Sequence, residues 1–196
     1  MGSTGASGNY GSSGGTQSEV NAVADSLLNY MGRQPIPMSE LNSLEQESKT
    51  ADLSRLLEIM SQVGATATVG FDSNMNDSYN IVNGQYSFGN DILAEVEQNP
   101  NSMQSIRDSI STAIQSRKQT IANAGKVVNL AKSKIAKNVS DMNAKRPGTT
   151  MTNPTIVGAS SEGGGLYNVY YELDYKTSDG RTGHSPIQFN TYVRIK

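Results

Sequence analysis

Residues 101–146 read NSMQSIRDSISTAIQSRKQTIANAGKVVNLAKSKIAKNVSDMNAKR, the longest regular stretch of the chain. On a helical wheel at ~100° per residue, its apolar side chains fall within one third of the circumference. These side chains are Met103, Ile106, Ile110, Ile114, Ile121, Ala124, Val128, Ala131, Ile135, Val139 and Met142. Asn99 can cap a helix whose first residue is Pro100, and Pro147-Gly148 can end it. The stretch therefore predicts a single helix, ~70 Å long at ~1.5 Å per residue.

This apolar stripe is longer than a small sheet can cover. A helix in a protein gains most of its stability by burying such a stripe against other elements. We therefore expect part of it to pack against residues 18–90 or against another chain. The predicted interaction surface comprises Ile110, Ile114, Ile121, Val128, Ile135 and Val139.

Charge is distributed unevenly along the chain. The total is −2, but residues 1–100 sum to −9, residues 101–150 to +7 and residues 151–196 to zero. The long helix is therefore a basic element in an acidic protein, and Arg117 and Lys132 fall on or near its apolar stripe. The basic residues can neutralise acidic neighbours, remain a solvated face, or contact nucleic acid. The candidate nucleic-acid contacts are Arg55, Arg117, Lys118, Lys126, Lys134 and Lys137.

Before the long helix, the pattern predicts helices and a hairpin. Residues 1–17 are rich in glycine and serine, which predicts a flexible tail. Thr16 and Glu19 have the spacing of a capping box, and the helix they open reaches Gly32. Ser39 can cap a short second helix, and a third runs from about Thr50 to Gly64. Residues 65–71 and 79–88 predict two strands joined by a polar turn.

Residues 18–90 resemble the winged-helix family in the order of their predicted elements. The resemblance is carried by residues 24–30 (ADSLLNY), 37–41 (PMSEL), 52–57 (DLSRLL), Val63-Gly64 and 86–89 (YSFG). In many transcription factors of that family, the third helix enters the major groove. Here that helix has Arg55 and Glu58 on its outward face, and residues 18–90 sum to −6. This net negative charge favours binding to a protein rather than to DNA.

After Pro147 the period of the pattern changes to two. Tyr167, Val169, Tyr171, Leu173 and Tyr175 alternate with polar residues, and so do Ile187, Phe189, Thr191, Val193 and Ile195. Residues 155–159 predict a third strand. Residues 151–196 therefore predict a three-stranded antiparallel meander that needs a further element to cover its apolar face.

The chain contains little that indicates catalysis. It has no cysteine, and its one histidine, His184, lies in a predicted loop. Nucleophile-elbow and phosphate-binding motifs are absent. Residues 72–83 begin like a calcium loop, but Asp77 replaces its glycine and Asn83 its closing glutamate. We therefore expect no enzyme activity, no cofactor and no metal site. Without an apolar run of ~20 residues or a signal peptide, we expect a soluble protein, made in the cytoplasm, with no membrane insertion.

Together these patterns predict an α+β protein. Its parts are a tail (1–17), a helical or winged-helix-like module (18–90), a long basic helix (91–150) and a β meander (151–196). We expect a non-catalytic structural or assembly subunit, as in a viral particle or secretion apparatus, that forms homo- or hetero-oligomers. The alternative is a winged-helix nucleic-acid-binding regulator that uses the basic helix 117–146.

Overall fold

The computed structural model describes residues 15–30, 32–70 and 77–196. Residues 1–14 of the predicted tail and residues 72–76 of the calcium-like loop therefore lie outside the described residues. The predicted mixed α and β class, with a long helix and antiparallel strands, is confirmed. Within the described ranges the helices are α1 Gln17–Tyr30, α2 Met38–Ser48, α3 Leu53–Val63, α4 Asn90–Gln98 and α5 Pro100–Lys145. The strands are β1 Thr66–Val69, β2 Tyr79–Val82, β3 Thr149–Gly163, β4 Leu166–Thr177, β5 Thr182–His184 and β6 Phe189–Arg194.

The chain forms two compact units. One unit, here called the helical unit, is Ile36–Lys118. The other, here called the sheet unit, combines the described residues up to Pro35 with Gln119–Lys196. The predicted module 18–90 is thus divided, because α1 belongs to the sheet unit. The resemblance to the winged-helix family stays a prediction.

Helix α5 begins and ends where the sequence predicts. The Asn99 side-chain oxygen accepts hydrogen bonds from the N–H groups of Asn101 at 2.9 Å and Ser102 at 3.4 Å. These bonds satisfy donors that the first turn of a helix leaves unpaired. The helix begins at Pro100 and stops two residues before Pro147. Its first part, up to Lys118, belongs to the helical unit, and the remainder belongs to the sheet unit.

In the helical unit, α2 and α3 precede a two-stranded antiparallel hairpin. Helix α2 begins at Met38 after Pro37, with no side-chain cap, so the predicted cap by Ser39 is wrong. Helix α3 is capped by Asp52, whose side chain accepts from the Arg55 N–H, and it begins later than predicted. It ends at Gly64, as expected, in a left-handed conformation with φ 79°.

The β1–β2 hairpin is shorter than predicted. Strand β2 stops at Val82 because Asn83 and Gly84 both have positive φ, 53° and 78°. Gly84 is required there, since a Cβ at this position would lie 2.3 Å from the Leu57 carbonyl oxygen. Residues 86–89 are therefore not in a strand, and α4, which the sequence pattern did not separate from α5, follows them.

In the sheet unit, four antiparallel strands pack with α1. The central strand β4 pairs with β3 along one side and with both β5 and β6 along the other. The predicted meander is therefore broadly correct, but His184 does not lie in a loop as predicted, because it ends β5, an additional short strand before β6. The predicted capping box of α1 is confirmed: the Thr16 N–H donates to Glu19 Oε1 at 3.0 Å, and the Glu19 N–H donates to Thr16 Oγ1 at 3.1 Å.

The alternation on β4 is also confirmed. Tyr167, Val169, Tyr171 and Leu173 are buried, and the residues between them are partly exposed. On the last strand the apolar face is confirmed for Thr191 and Val193, which are buried. Ile187 was expected on the same face, but it lies before β6 begins, and 57% of its surface is exposed.

Candidate interaction surfaces

The predicted interaction stripe of α5 lies in the interior of the chain. Its six residues, Ile110, Ile114, Ile121, Val128, Ile135 and Val139, are each at most 9% exposed. The chain's own elements therefore remove this stripe from water. In the folded chain these six side chains are therefore not exposed to a partner.

Two arginines in the first part of α5 cap helix ends within the helical unit. Arg107 donates to the carbonyls of Ser48 at 3.1 Å and Ala51 at 3.0 Å, at the end of α2. Arg117 donates to the carbonyls of Val63 at 3.2 Å and Gln62 at 3.4 Å, at the end of α3. The last carbonyls of a helix have no partner within it and carry partial negative charge, so a guanidinium is a suitable cap.

Arg117 was a predicted nucleic-acid contact, but it is 2% exposed and cannot reach an external ligand. Arg117 lies on the apolar stripe because it is buried together with the isoleucines of that stripe. A cation at such a position in the sequence indicates a partner within the chain, but the pattern does not identify that partner. The partner is the end of α3, more than fifty residues earlier in the chain.

Two further candidate contacts are paired with acids of the helical unit. Lys118 Nζ lies 2.7 Å from Glu45 Oε1, and this hydrogen bond lowers the pKa of the Glu45 carboxyl. Arg55 forms ion pairs with Glu47 and with Glu58, which lies 3.0 Å away. Its hydrogen bond to Glu47 lowers the pKa of that carboxyl. Helix α3, the third helix of the predicted winged-helix-like module, therefore presents an arginine already paired with two carboxylates.

The three remaining lysines lie on exposed positions of α5 in the sheet unit. Lys126 is exposed. Lys137 pairs with Asp141 one turn along the helix, at 3.0 Å. Lys134 Nζ donates to the carbonyl oxygen of Tyr192 on β6. The six candidates thus occupy a helix cap, ion pairs and exposed positions, with three of them in each unit.

Glu19, predicted as part of a capping box, is also a buried ionic centre, a role that the sequence pattern did not indicate. Its carboxylate accepts from the Ile156 N–H at 2.8 Å and from Lys132 Nζ at 3.0 Å, and its residue is 3% exposed. Burial raises the pKa of this carboxyl, but hydrogen bonds from Ile156, Thr16 and Lys132 outweigh burial, so the pKa lies below its ordinary value. The carboxylate is therefore charged at neutral pH.

The same contacts close the outer edge of β3. The Ile156 N–H donates to Glu19, and the Ala159 N–H donates to Ser26 Oγ at 2.9 Å. Lys132 Nζ also donates to the Pro154 carbonyl at 3.1 Å. Side chains of α1 and α5 thus satisfy backbone groups that an edge strand would otherwise offer to another chain.

The edge formed by β6 is more open. The Ile195 N–H donates to the Gly165 carbonyl at 2.8 Å, which identifies that pair as a hydrogen-bonded pair of the ladder. Such pairs recur at every second residue of an antiparallel ladder. The backbone groups of Asn190, Tyr192 and Arg194 therefore point away from β4. The contact from Lys134 to the Tyr192 carbonyl agrees with this direction.

Two large apolar side chains are exposed, one on β6 and one on α5 a turn before Lys134. Tyr192 is 47% exposed on the outer face of the sheet. Leu130 is 45% exposed, and it lies one turn before Lys134 on the same face of α5. Exposed apolar groups next to unpaired backbone groups are typical of a strand that accepts another strand. We call Asn190, Tyr192 and Arg194, with Leu130 and Lys134, the β6 edge.

His184 is held between two carboxylates on the opposite part of the sheet. Its Nδ1 lies 2.8 Å from Asp174 Oδ1, and its Nε2 lies 2.8 Å from Glu172 Oε1. A neutral imidazole has one N–H, so both contacts can be hydrogen bonds only when the ring is protonated. The contacts with Asp174 and then Glu172 raise the pKa of His184, and the bond from His184 lowers the pKa of Asp174.

The two partners of His184 are on β4, the strand next to β5. Asp179, the acid nearest in the hairpin turn, pairs with Arg181 at 3.1 Å. Glu172 and Asp174 share the solvent face of their strand, which the alternating pattern did indicate. Asn153 joins the cluster through its bond to Asp174 at 3.1 Å, from a bulge of β3 where its φ is +52°. An open depression of about 320 Å³ lies beside these residues.

We expect the contribution of His184 to stability to depend on pH. A raised histidine pKa stabilises the folded state fully below the unfolded value of ~6.5, and this stabilisation is lost as the pH rises through the folded value. The melting temperature of the wild-type protein should therefore exceed that of His184→Gln by more in mildly acidic than in alkaline buffer. Thermal unfolding followed by circular dichroism across this range measures the difference. Arg181→Gln, in the same hairpin, serves as a control whose effect should stay constant there.

The described part of the chain contains no group of three or more side chains placed to hold a metal ion. Within residues 15–30, 32–70 and 77–196, no helix combines the length and apolar character needed to cross a bilayer. The chain matches no protein-family model, and comparison with curated proteins and with solved structures finds no match. The expectation that the protein is not an enzyme stays a prediction.

Proposed function

We propose that this protein is a non-catalytic assembly subunit that binds other protein chains, and that it binds them by accepting an extended strand along the β6 edge. The observation that carries the proposal is the row of outward-facing backbone groups at Asn190, Tyr192 and Arg194. In strand addition, such groups supply affinity, and neighbouring side chains supply specificity.

The contrast between the two outer edges of the sheet supports this choice. On β3, four side chains from two helices bond to backbone groups: Glu19 and Ser26 of α1, and Lys132 and Asn143 of α5. On β6, the described contact from another element is a single lysine, Lys134, whose side chain is exposed. An exposed lysine can move aside at little cost, because its contact with a carbonyl is screened by water. The β6 edge is therefore the one available to a partner.

The nucleic-acid alternative is less compatible with the geometry. Binding to DNA depends on cations that are free to neutralise phosphates. Of the predicted contacts, Arg117 is buried, and Arg55 and Lys118 are paired with carboxylates. No observation favours that function over protein binding.

A substitution that removes one outward N–H tests the proposal. Asn190→Pro removes that donor and places a ring in the path of an incoming strand, while the bonds to β4 are kept, since proline is tolerated on edge strands. Peptides selected from a displayed library against the full chain should bind with protection of the Tyr192 amide from exchange. Their affinity should fall at least ~10-fold in Asn190→Pro.

Asn190→Ala is the matched control, because it removes the side chain and keeps the backbone donor. Its peptide affinity should equal that of the wild-type protein. If the selected peptides bind Asn190→Pro as tightly as the wild-type protein, or if none binds the β6 edge, the proposed function is wrong.

A further inference from the structure

We infer that the partner of the β6 edge is a second copy of this chain, with the two β6 strands paired antiparallel about a two-fold axis at Tyr192. This inference rests on the proposed function, since it specifies who supplies the added strand. Three properties of β6 carry it. These are the alternating direction of its backbone groups, the self-complementarity of its outer-face side chains, and the incomplete burial of the apolar side chains at its two ends.

The alternating direction of the backbone groups along β6 permits such pairing. Centring the pair on Tyr192 places each Tyr192 opposite its counterpart and Asn190 opposite Arg194 of the second copy. All three residues direct their backbone groups outward. Each therefore meets a residue that also faces the interface, as the hydrogen-bonded pairs of an antiparallel ladder require. A shift of one residue would place outward groups against groups already bonded to β4.

The outer-face side chains are compatible in this register. Arg194 lies opposite Asn190 of the second copy, and Lys196 lies opposite Gln188, so no two like charges face each other directly. Like charges placed directly opposite on adjacent strands are destabilising, whereas aromatic pairs are favourable. The central Tyr192 pair, exposed in the single chain, would form an aromatic contact across the axis.

The core-side residues also match. Thr191 and Val193 are buried in the single chain, whereas Phe189 and Ile195, at the two ends of this face, are half-buried. The same register puts Phe189 opposite Ile195 of the second copy at both ends of the interface. The apolar surface that the single chain leaves incomplete would thus be covered by an identical surface, which is the property of an interface with two-fold symmetry.

Lys134 is the group that has to move. Its ammonium donates a hydrogen bond to the Tyr192 carbonyl oxygen. In the paired state that oxygen instead accepts a hydrogen bond from the Tyr192 N–H of the second copy. Lys134→Ala should therefore strengthen self-association, or leave it unchanged, and should not weaken it.

Single cysteines test the register, because the natural chain contains none. Directly opposite residues of a hydrogen-bonded pair have Cα atoms ~5.5 Å apart, within the range that disulfides span. Tyr192→Cys should therefore form a covalent dimer on mild oxidation. Asn190→Cys is the matched control, since two copies of residue 190 would lie ~13 Å apart at ~3.3 Å per residue. Equal crosslinking of the two variants, or none by Tyr192→Cys, contradicts the inference.

Charge exchange at the axis provides an independent test in solution. Sedimentation should show that the full wild-type chain self-associates and that Tyr192→Lys and Tyr192→Glu are each at least ~10-fold weaker. An equimolar mixture of the two variants should recover the dimer, because lysine then faces glutamate. Recovery also shows that both variants are folded.

The outcomes separate this inference from the proposed function. A wild-type chain that stays monomeric, or charge variants that dimerise as well as the wild-type protein, overturns the second-copy inference. If peptides nevertheless bind and are lost with Asn190→Pro, the strand-accepting edge remains, and its partner is a different protein.

Discussion

Replacing Glu19 with alanine is expected to lower the free energy of unfolding by about 3 kcal/mol. The change leaves the Lys132 ammonium and the Ile156 N–H without the carboxylate that binds them within the sheet unit. Removing one partner of a buried ion pair typically costs 3–5 kcal/mol. The lower end of this range applies because the Lys132 side chain is 20% exposed, so its ammonium regains some hydration in the variant.

Urea unfolding of the full chain measures this effect, with Glu40→Ala as the control, since Glu40 is exposed on α2. The double variant Glu19→Ala with Lys132→Met should lose less stability than the two single variants together, because the pair is already broken. Additive losses in the double variant would show that the two side chains are not coupled.

The stability that Glu19 contributes also depends on pH. Because the Glu19 pKa is lowered, this contribution is present at neutral pH and is lost as the pH falls through that pKa.

Replacing Arg117 with alanine should have a comparable effect on the helical unit, on the order of 3–5 kcal/mol. The variant loses two hydrogen bonds from a charged donor to the end of α3, and each such bond is worth about 1.5–3 kcal/mol. It also loses the packing of a buried aliphatic stem. Arg117→Lys should be only partly tolerated, because an ammonium does not reproduce the planar fork of the guanidinium.

The same unfolding measurement includes two comparisons. Arg107→Ala should destabilise less, since Arg107 is only partly buried. Lys126→Ala should have little effect, since Lys126 is exposed. If Arg117 served nucleic-acid binding, its replacement would weaken binding and leave stability unchanged. That outcome would contradict the capping role and restore the alternative function.

Local features were predictable from sequence because their physics is local. The capping box at Thr16, the start of α5 after Asn99 and the left-handed Gly64 each depend on residues a few positions apart. The alternation on β4 likewise identified its buried face. Strand β5 was not predictable, because it lies in a segment predicted as a loop and exists through its pairing with β4, which local pattern does not show.

The candidate surface was less accessible to sequence reasoning. A long apolar stripe predicts burial, but it does not distinguish burial within the chain from burial against another chain. Arg117 and Lys132 on that stripe were the available signal for internal partners. Their partners, the end of α3 and Glu19, are distant in the sequence. The open edge of β6 could not be assigned either, since only the fold shows that helices close β3 and leave β6 available.

The division of the sheet unit between two distant segments affects the order of events during synthesis on the ribosome. Domains generally fold as units, in the order in which they emerge. Helix α1 emerges early, but the strand edge that its Glu19 and Ser26 bind belongs to residues 156 and 159. The ends of α2 and α3 similarly wait for Arg107 and Arg117. We therefore expect the nascent chain to expose apolar surface until α5 and β3 have emerged, and to be a substrate for chaperones during that interval.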